Sequence, residues 1–151
     1  WLANISWFGT PTMATVTIIV VSIWQNIGFL MIIYTAGLQT IPKDVMESAE
    51  LDGCSGLKKV LKIELPLLMP TVTINLFVSI SGAFKSFDIP NAMTGGGPYG
   101  STMPVAMNIY QEAFTKYNLG YGSAKSVILF LTVAAVTLIQ LYCTRKKEVE
   151  Y

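Results

Sequence analysis

The chain has 151 residues, 52% hydrophobic and 13% charged, with a net charge of +1 and a mean hydropathy of +0.54. A soluble domain carries roughly 25% charged residues, so this composition points to a membrane protein, and a nearly neutral chain with no basic run interleaved with aromatics offers nucleic acid no surface. Histidine is absent, which removes the commonest general base and metal ligand, and Cys54 and Cys143 form no CxxC pair, so they read as reduced thiols rather than a disulfide or a metal site.

The sequence opens on Trp1, with no basic stretch leading into an apolar one, so its start does not read as a signal peptide. It reads instead as a piece of a longer protein whose N-terminal part is missing. The first long apolar run covers about 13–38, "MATVTIIVVSIWQNIGFLMIIYTAGL". A helix needs about 20 such residues to cross a bilayer. An open strand would leave its amides unpaired in lipid. Ser22, Gln25, Asn26 and Phe29 recur at steps of three and four, on one helical face. Amides at mid-bilayer are costly unless they meet protein or a watery cavity. Two readings follow, helix–helix hydrogen bonding or a polar pathway for a solute.

A polar insert follows at about 40–66. Pro42 suits the first helical position, with Asp44 and Glu47 at or near the positive end of that helix. Val45, Ala49 and Leu51 give it an apolar side, and Gly53 stops it with a positive φ. Ser55 is expected to cap a second short helix from Gly56 to Ile63, and Leu65-Pro66 to close it. The product is a helix–turn–helix elbow at the membrane face, either a docking part for a soluble partner or an interfacial elbow with none.

The second apolar run covers about 66–85. At its end Ser81, Lys85 and Asp88 are expected to share a face, with Phe84 and Phe87 beside them. Lys85 either snorkels outward to pair with Asp88 or lines a pathway with it. The loop at 86–125 begins with the turn-rich "DIPNAMTGGGPYGSTMP". Its "TGGGP" lacks the GK[ST] of a phosphate loop. Met103, Ala106, Met107, Tyr110, Ala113, Phe114 and Tyr117 then recur at helical spacing, with Asn108, Gln111, Glu112, Thr115 and Lys116 on the other face. This amphipathic helix lies on the membrane, packs on the spans, or contacts a ligand. The third apolar run covers about 126–144. Trp1, Trp7 and Tyr142 fit interfacial belts.

Orientation follows from the basic residues. Lys43, Lys58, Lys59 and Lys62 in the insert, with Arg145, Lys146 and Lys147 in the tail, make seven of the ten. Three spans place insert and tail on one side, which should be the cytoplasm. The expected fold is therefore all-α: polytopic membrane helices with three spans, a cytoplasmic elbow, and an external loop carrying an amphipathic helix.

Glu47-Ser48-Ala49, then Asp52-Gly53, then Ile63-Glu64-Leu65-Pro66 resembles the EAA motif of ABC-importer permeases, with matching spacing. Ser48 and Cys54 stand where alanines are usual, and Leu57 and Val60 where aromatics are commoner. "WQNIGFLMIIYTAGLQTIP", "FDIPNAMTGGGP" and "IYQEAFTKYNLGYGSAKSVILFL" are similar to the carbohydrate branch, in particular to the first of its two paired permeases. The resemblance covers nearly the whole chain and implies that roughly the first half of such a subunit is absent.

It implies a non-catalytic subunit in a bacterial or archaeal cytoplasmic membrane, multi-pass, with a cytoplasmic C-terminus. The implied partners are a cytoplasmic ATPase dimer that binds the ATP, a second permease forming a heterodimer, an extracytoplasmic solute-binding protein, a sugar substrate and membrane lipid. No catalytic, cofactor or metal residues are implied in this chain. Glu47, Ser48, Ala49, Asp52, Gly53, Cys54, Leu57, Ile63 and Pro66 are implied as the ATPase-coupling set, with Glu47 as the acidic contact, Gly53 as the turn, and Ala49 and Cys54 as small packing positions. Ser22, Gln25, Asn26, Phe29, Ser81, Lys85, Phe87 and Asp88 are implied near the substrate pathway. Competing readings are an intramembrane hydrolase, which lacks a histidine or a placed Ser–Lys or Asp–Asp pair, a secondary transporter or channel, which has no use for the EAA spacing, and an ABC permease for another solute.

Overall fold

The computed structural model describes residues 6–146, so Trp1 and Lys147 lie outside the described residues. Every regular element among them is helical. In chain order they are α1 (Pro11–Gln39), α2 (Lys43–Leu51), α3 (Leu57–Lys59), a π-helical turn (Val60–Glu64), α4 (Leu65–Leu67), α5 (Met69–Phe84), α6 (Asp88–Thr94), α7 (Val105–Tyr110), a second π-helical turn (Gln111–Thr115) and α8 (Leu119–Arg145).

Two of these helices, α1 with 29 residues and α8 with 27, are long and apolar enough to cross a membrane, and a third crossing is made if the bent pair Leu57–Leu67 and Met69–Phe84 counts as one span. Large apolar side chains such as Trp24, Ile32, Phe130 and Leu138 stand exposed along α1 and α8, as side chains facing hydrocarbon do. Hydroxyl and amide side chains within α1 hydrogen-bond their own helix. Thr17 donates to the Met13 carbonyl at 2.8 Å, and Ser22 to that of Ile18 at 2.7 Å. Asn26 Nδ2 donates to the Ser22 carbonyl at 2.8 Å. Each turns a polar group back onto the backbone four residues earlier, which lowers its cost in lipid.

The described residues divide into two units, 6–26 with 80–135 and 27–79 with 136–146. In the second unit, Gly37 of α1 meets Thr71, where an added Cβ would come within 2.2 Å of Oγ1. A glycine at a helix–helix contact lets two backbones approach closely. Gln140 Nε2 of α8 donates to the Thr73 carbonyl of α5 at 3.4 Å and to Thr144 Oγ1 at 3.2 Å. Thr73 and Asn75 are buried on α5.

In the first unit, the sharp turn after α6 is made by Gly95, a left-handed cap at φ 59 whose N–H bonds the Asn91 carbonyl. Thr102, buried, donates to the Gly97 carbonyl at 2.6 Å and meets Thr94 Oγ1 at 2.7 Å, closing the glycine loop. Met107 is the most fully buried large side chain among the described residues. Glu112, also buried, is bonded by Lys116 at 2.8 Å and faced by Lys125 at 3.6 Å. Lys125 also reaches Asn108 Oδ1 at 2.7 Å. The Lys116 hydrogen bond is the main cause holding the Glu112 carboxyl below its ordinary value.

Several sequence expectations change. The helix that carries the third apolar run starts before that run: α8 extends from Leu119 to Arg145. Gly120 and Gly122 look like breakers, but an added Cβ at Gly122 would lie 2.8 Å from Ala113 Cβ, so that glycine serves close packing inside a continuing helix. The stretch at 88–94, expected as turns, is the helix α6. The amphipathic stripe holds for the buried Met107 and Ala113, but Phe114 and Tyr117 are exposed while Glu112 is buried. The wide turn Gln111–Thr115 adds a residue to its ring and shifts the helical phase there.

Candidate functional site

The elbow lies wholly within the second unit. Its first arm is α2. Pro42 stands one position earlier than expected, as the N-cap in an extended conformation (φ −61, ψ 137), with Lys43 as the first helical residue. Asp44 follows in the first turn, where a carboxylate complements the helix dipole.

The end of α2 explains the spacing of the motif. The Cys54 N–H bonds the Ala49 carbonyl at 2.9 Å, and the Gly53 N–H bonds the Glu50 carbonyl at 3.0 Å. Gly53 has φ 73. This pair of bonds around a left-handed residue is a Schellman closure, with Ala49 three positions inside the helix and Cys54 just beyond the turn. Such a closure brings those two side chains toward each other, and both are buried. A glycine at the turn is therefore what the local geometry requires.

The second arm begins at Gly56, not at a Ser55 cap: Gly56 is the N-cap at φ 59 and ψ −138, with no side-chain hydrogen bond. That backbone conformation suits glycine alone. Nor does the arm stop at Ile63; it continues through Leu67. Pro66 sits inside this helical stretch rather than closing it, and has no N–H for the Lys62 carbonyl. The preceding turn widens to π geometry, with the Leu65 N–H bonding the Val60 carbonyl. The chain then bends by 69° at Leu68 into α5.

An ion pair braces the two arms. Lys59 Nζ donates to Glu50 Oε1 at 2.7 Å. That hydrogen bond, and then the charge of Lys59, hold the Glu50 carboxyl below its ordinary value. Between the arms is an open cleft of about 450 Å³ lined by Asp44, Val45, Ser48, Ala49, Asp52 and Ile63. On the outer face of α2, Glu47 and Leu51 lie one turn apart and both are exposed, Leu51 at 89%. Both side chains are thus presented outward rather than packed against the rest of the elbow. Leu57 is likewise exposed on the second arm.

The elbow residues named from sequence thus divide by position. Ala49, Gly53 and Cys54 build the turn, Ser48, Asp52 and Ile63 line the cleft, Glu47 and Leu57 are presented outward, and Pro66 enters the second arm. Sequence reasoning missed the Glu50–Lys59 brace and Gly56. It assigned Leu51 to an apolar side without foreseeing its exposure. A second glycine three residues past Gly53, directly after Ser55, was the signal available for Gly56.

The pathway residues are less gathered. Ser22 is half-buried, while Gln25, Asn26 and Phe29 are exposed on α1. Ser81, Lys85 and Asp88 do not share one helical face: α5 ends at Phe84, and Asp88 opens α6 after Phe87, whose φ of −140 and ψ of −52 break the helix. The one-face expectation fails because the i, i+4, i+7 spacing was carried across a helix end. Lys85 and Asp88 are exposed, and no ion pair joins them among the described residues. Phe87 instead packs edge-on against Tyr110 at 5.2 Å, and Tyr110 meets Phe114 at 5.2 Å.

Residues 1–149 match the family described as the binding-protein-dependent transport system inner membrane component. The chain is 37% identical, over 150 residues and 99% of its length, to 51% of a probable starch degradation products transport system permease of Thermoanaerobacterium thermosulfurigenes. It is 40% identical over 145 residues (96% of this chain, 47% of the relative) to a sulfoquinovosyl glycerol transport system permease of Agrobacterium fabrum. It is 37% identical over 143 residues (93% of this chain, 47% of the relative) to a trehalose/maltose transport system permease of Thermococcus litoralis. The chain spans about half the length of each of these three relatives.

Proposed function

We propose that this chain, which belongs to the family of binding-protein-dependent transport system inner membrane components, forms part of the translocation pathway for a sugar or related polyol and couples it to ATP hydrolysis by a cytoplasmic ATPase. The sugar class rests on the named substrates of its relatives. In this reading the protein is a multi-pass subunit of a bacterial or archaeal cytoplasmic membrane with its C-terminus inside. It works beside a second permease, an ATPase dimer that binds the nucleotide, and an external binding protein that delivers the solute.

The mechanism is mechanical. The outer face of α2, with Glu47 and Leu51, seats in a cleft of the ATPase. When two ATPase subunits close on ATP, they move that helix. The Schellman turn and the Glu50–Lys59 pair keep the two arms at a fixed angle, so motion of α2 is passed through the second arm into α5. A floppy linker would absorb the displacement. A charged hydrogen bond from Glu47 to a basic group of the ATPase, partly withdrawn from water, contributes about 1.5–3 kcal/mol to the grip. Gln25, Asn26 and Ser22 on α1, with Phe29, supply the amides, hydroxyl and aromatic face that sugar hydroxyls and rings need; Ser81, Lys85, Phe87 and Asp88 are the second group proposed near that pathway.

The single observation that carries the docking reading is a rigidly closed, braced elbow joined to the apolar helix α5, with an exposed carboxylate and an exposed leucine on its free face. The test is Glu47→Lys in the assembled transporter. Transport is lost while the subunit still fractionates with the membrane; normal transport by this variant would remove Glu47 from the docking role.

A further inference from the structure

We propose that the second arm of the elbow, Leu57 to Leu67, lies in the cytoplasmic headgroup region of the bilayer and binds anionic phospholipid through Lys58 and Lys62. The inference rests on the orientation adopted above, with α2 facing the cytoplasm.

Leu57, Leu61 and Leu65 are 80%, 62% and 45% exposed. They follow one another at steps of four, so they form a stripe along one side of the arm. Lys58 and Lys62, both exposed, follow at the same step and flank that stripe. The opposite side is occupied: Lys59 reaches back to Glu50 of α2, and Ile63 lines the cleft beneath α2. The leucine stripe therefore points away from α2. With α2 toward the cytoplasm, the stripe faces the membrane.

Two further observations place it at the interface rather than in water. The arm meets α5 at 69°, so if α5 crosses the bilayer, the arm runs close to the membrane plane. And α5 has 16 residues, about 24 Å at 1.5 Å per residue, against a hydrocarbon core of about 30 Å. The missing length draws the start of α5 and the leucines before it into the acyl boundary. An apolar stripe with cationic flanks is the pattern of a helix lying in the headgroup layer. Only Glu64 is acidic between Gly56 and Leu68, so the arm complements anionic headgroups. Each lysine close to such a surface favours the immersed state by about five-fold.

The test uses the full-length permease assembled with its partner subunits, carrying Cys54→Ala and Cys143→Ala and a nitroxide at position 57 or 61 in turn. Vesicles of phosphatidylcholine alone are compared with vesicles that also contain phosphatidylglycerol. Both nitroxides are expected to collide with oxygen in preference to a water-soluble nickel chelate, and more so with the anionic lipid. Lys58→Gln with Lys62→Gln is expected to lower the immersed-to-exposed ratio by about 25-fold in anionic vesicles and to abolish the response to lipid charge. Nitroxides open to the chelate in both vesicles, shielded from oxygen and chelate alike by covering protein, or indifferent to lipid charge would each overturn the proposal. ATPase retention measured on the same preparations, with and without Glu47→Lys, separates the two readings. Immersed nitroxides with ATPase retention unchanged by Glu47→Lys break the docking reading alone. Water-exposed nitroxides with ATPase lost on Glu47→Lys break only this one.

Discussion

Substituting Gly53 by alanine isolates the elbow's turn from everything around it. Gly53 sits at φ 73, and an added Cβ would meet nothing within 4 Å. No clash contributes, so the whole effect comes from holding an L-residue in the left-handed region, about 1–2 kcal/mol. That lowers the ratio of closed to opened turn by about 5- to 30-fold. The two bonds at risk are those of the Gly53 and Cys54 N–H groups. Hydrogen exchange of those two amides in the assembled transporter should therefore speed up by that factor, with ATPase retention and transport falling in parallel. Gly28→Ala is the control: it too has open space but no positive φ, lies within α1, and should gain slightly, about 0.5–1 kcal/mol, from the lower entropy of the unfolded chain. Unchanged exchange at Gly53 and Cys54 in Gly53→Ala would refute the turn; faster exchange with full transport would refute the claim that rigidity matters.

Other expectations follow from the same geometry. Gly37→Ala should destabilise the contact with Thr71 by about 1–3 kcal/mol through overpacking, because the new Cβ would come within 2.2 Å of Oγ1 and 2.9 Å of Cβ; thermal unfolding in detergent measures it, and adding Thr71→Ala should restore part of the loss. Gly122→Leu should disrupt the first unit, where even a Cβ would lie 2.8 Å from Ala113 Cβ, and should raise proteolysis between α7 and α8. The Glu50 carboxyl, held below its ordinary 4.5 by the Lys59 hydrogen bond, gives a pH dependence of known sign. A depressed carboxyl stabilises the elbow above 4.5, and the contribution disappears as pH falls through the lower folded value. The protection factor of the Cys54 amide should decline below pH 4.5 in the wild type and stay flat across that window in Glu50→Gln.

How far the sequence disclosed this structure depends on what each residue was asked to do. The run at about 13–38 became α1 almost to the residue, because in a bilayer a long apolar stretch has no alternative to a helix. The first arm of the elbow was also legible: Gly53 answers to local backbone geometry, which sequence records directly. Tertiary uses of the same residue types were not legible. Gly122 has the composition of a loop but provides space for Ala113, and that need exists only once α7 and α8 are placed. Both π-helical turns were hidden, since a widened turn changes which residues share a face without altering composition. The Glu50–Lys59 pair spans nine positions and two arms, so no single-helix pattern contains it. The pathway residues were drawn from helical spacing alone, and where α5 ended at Phe84, between Ser81 and Lys85, the spacing lost its meaning.

The most direct measurement of the central claim places a cysteine at Leu51, the exposed tip of α2, in a chain carrying Cys54→Ala and Cys143→Ala. In the assembled transporter, Leu51→Cys with a short bifunctional reagent should yield an adduct with the ATPase subunit and stay unlabelled by a membrane-impermeant maleimide added outside intact cells. Labelling from outside, or an adduct with every neighbour except the ATPase, would contradict an elbow that passes ATPase motion into the membrane helices.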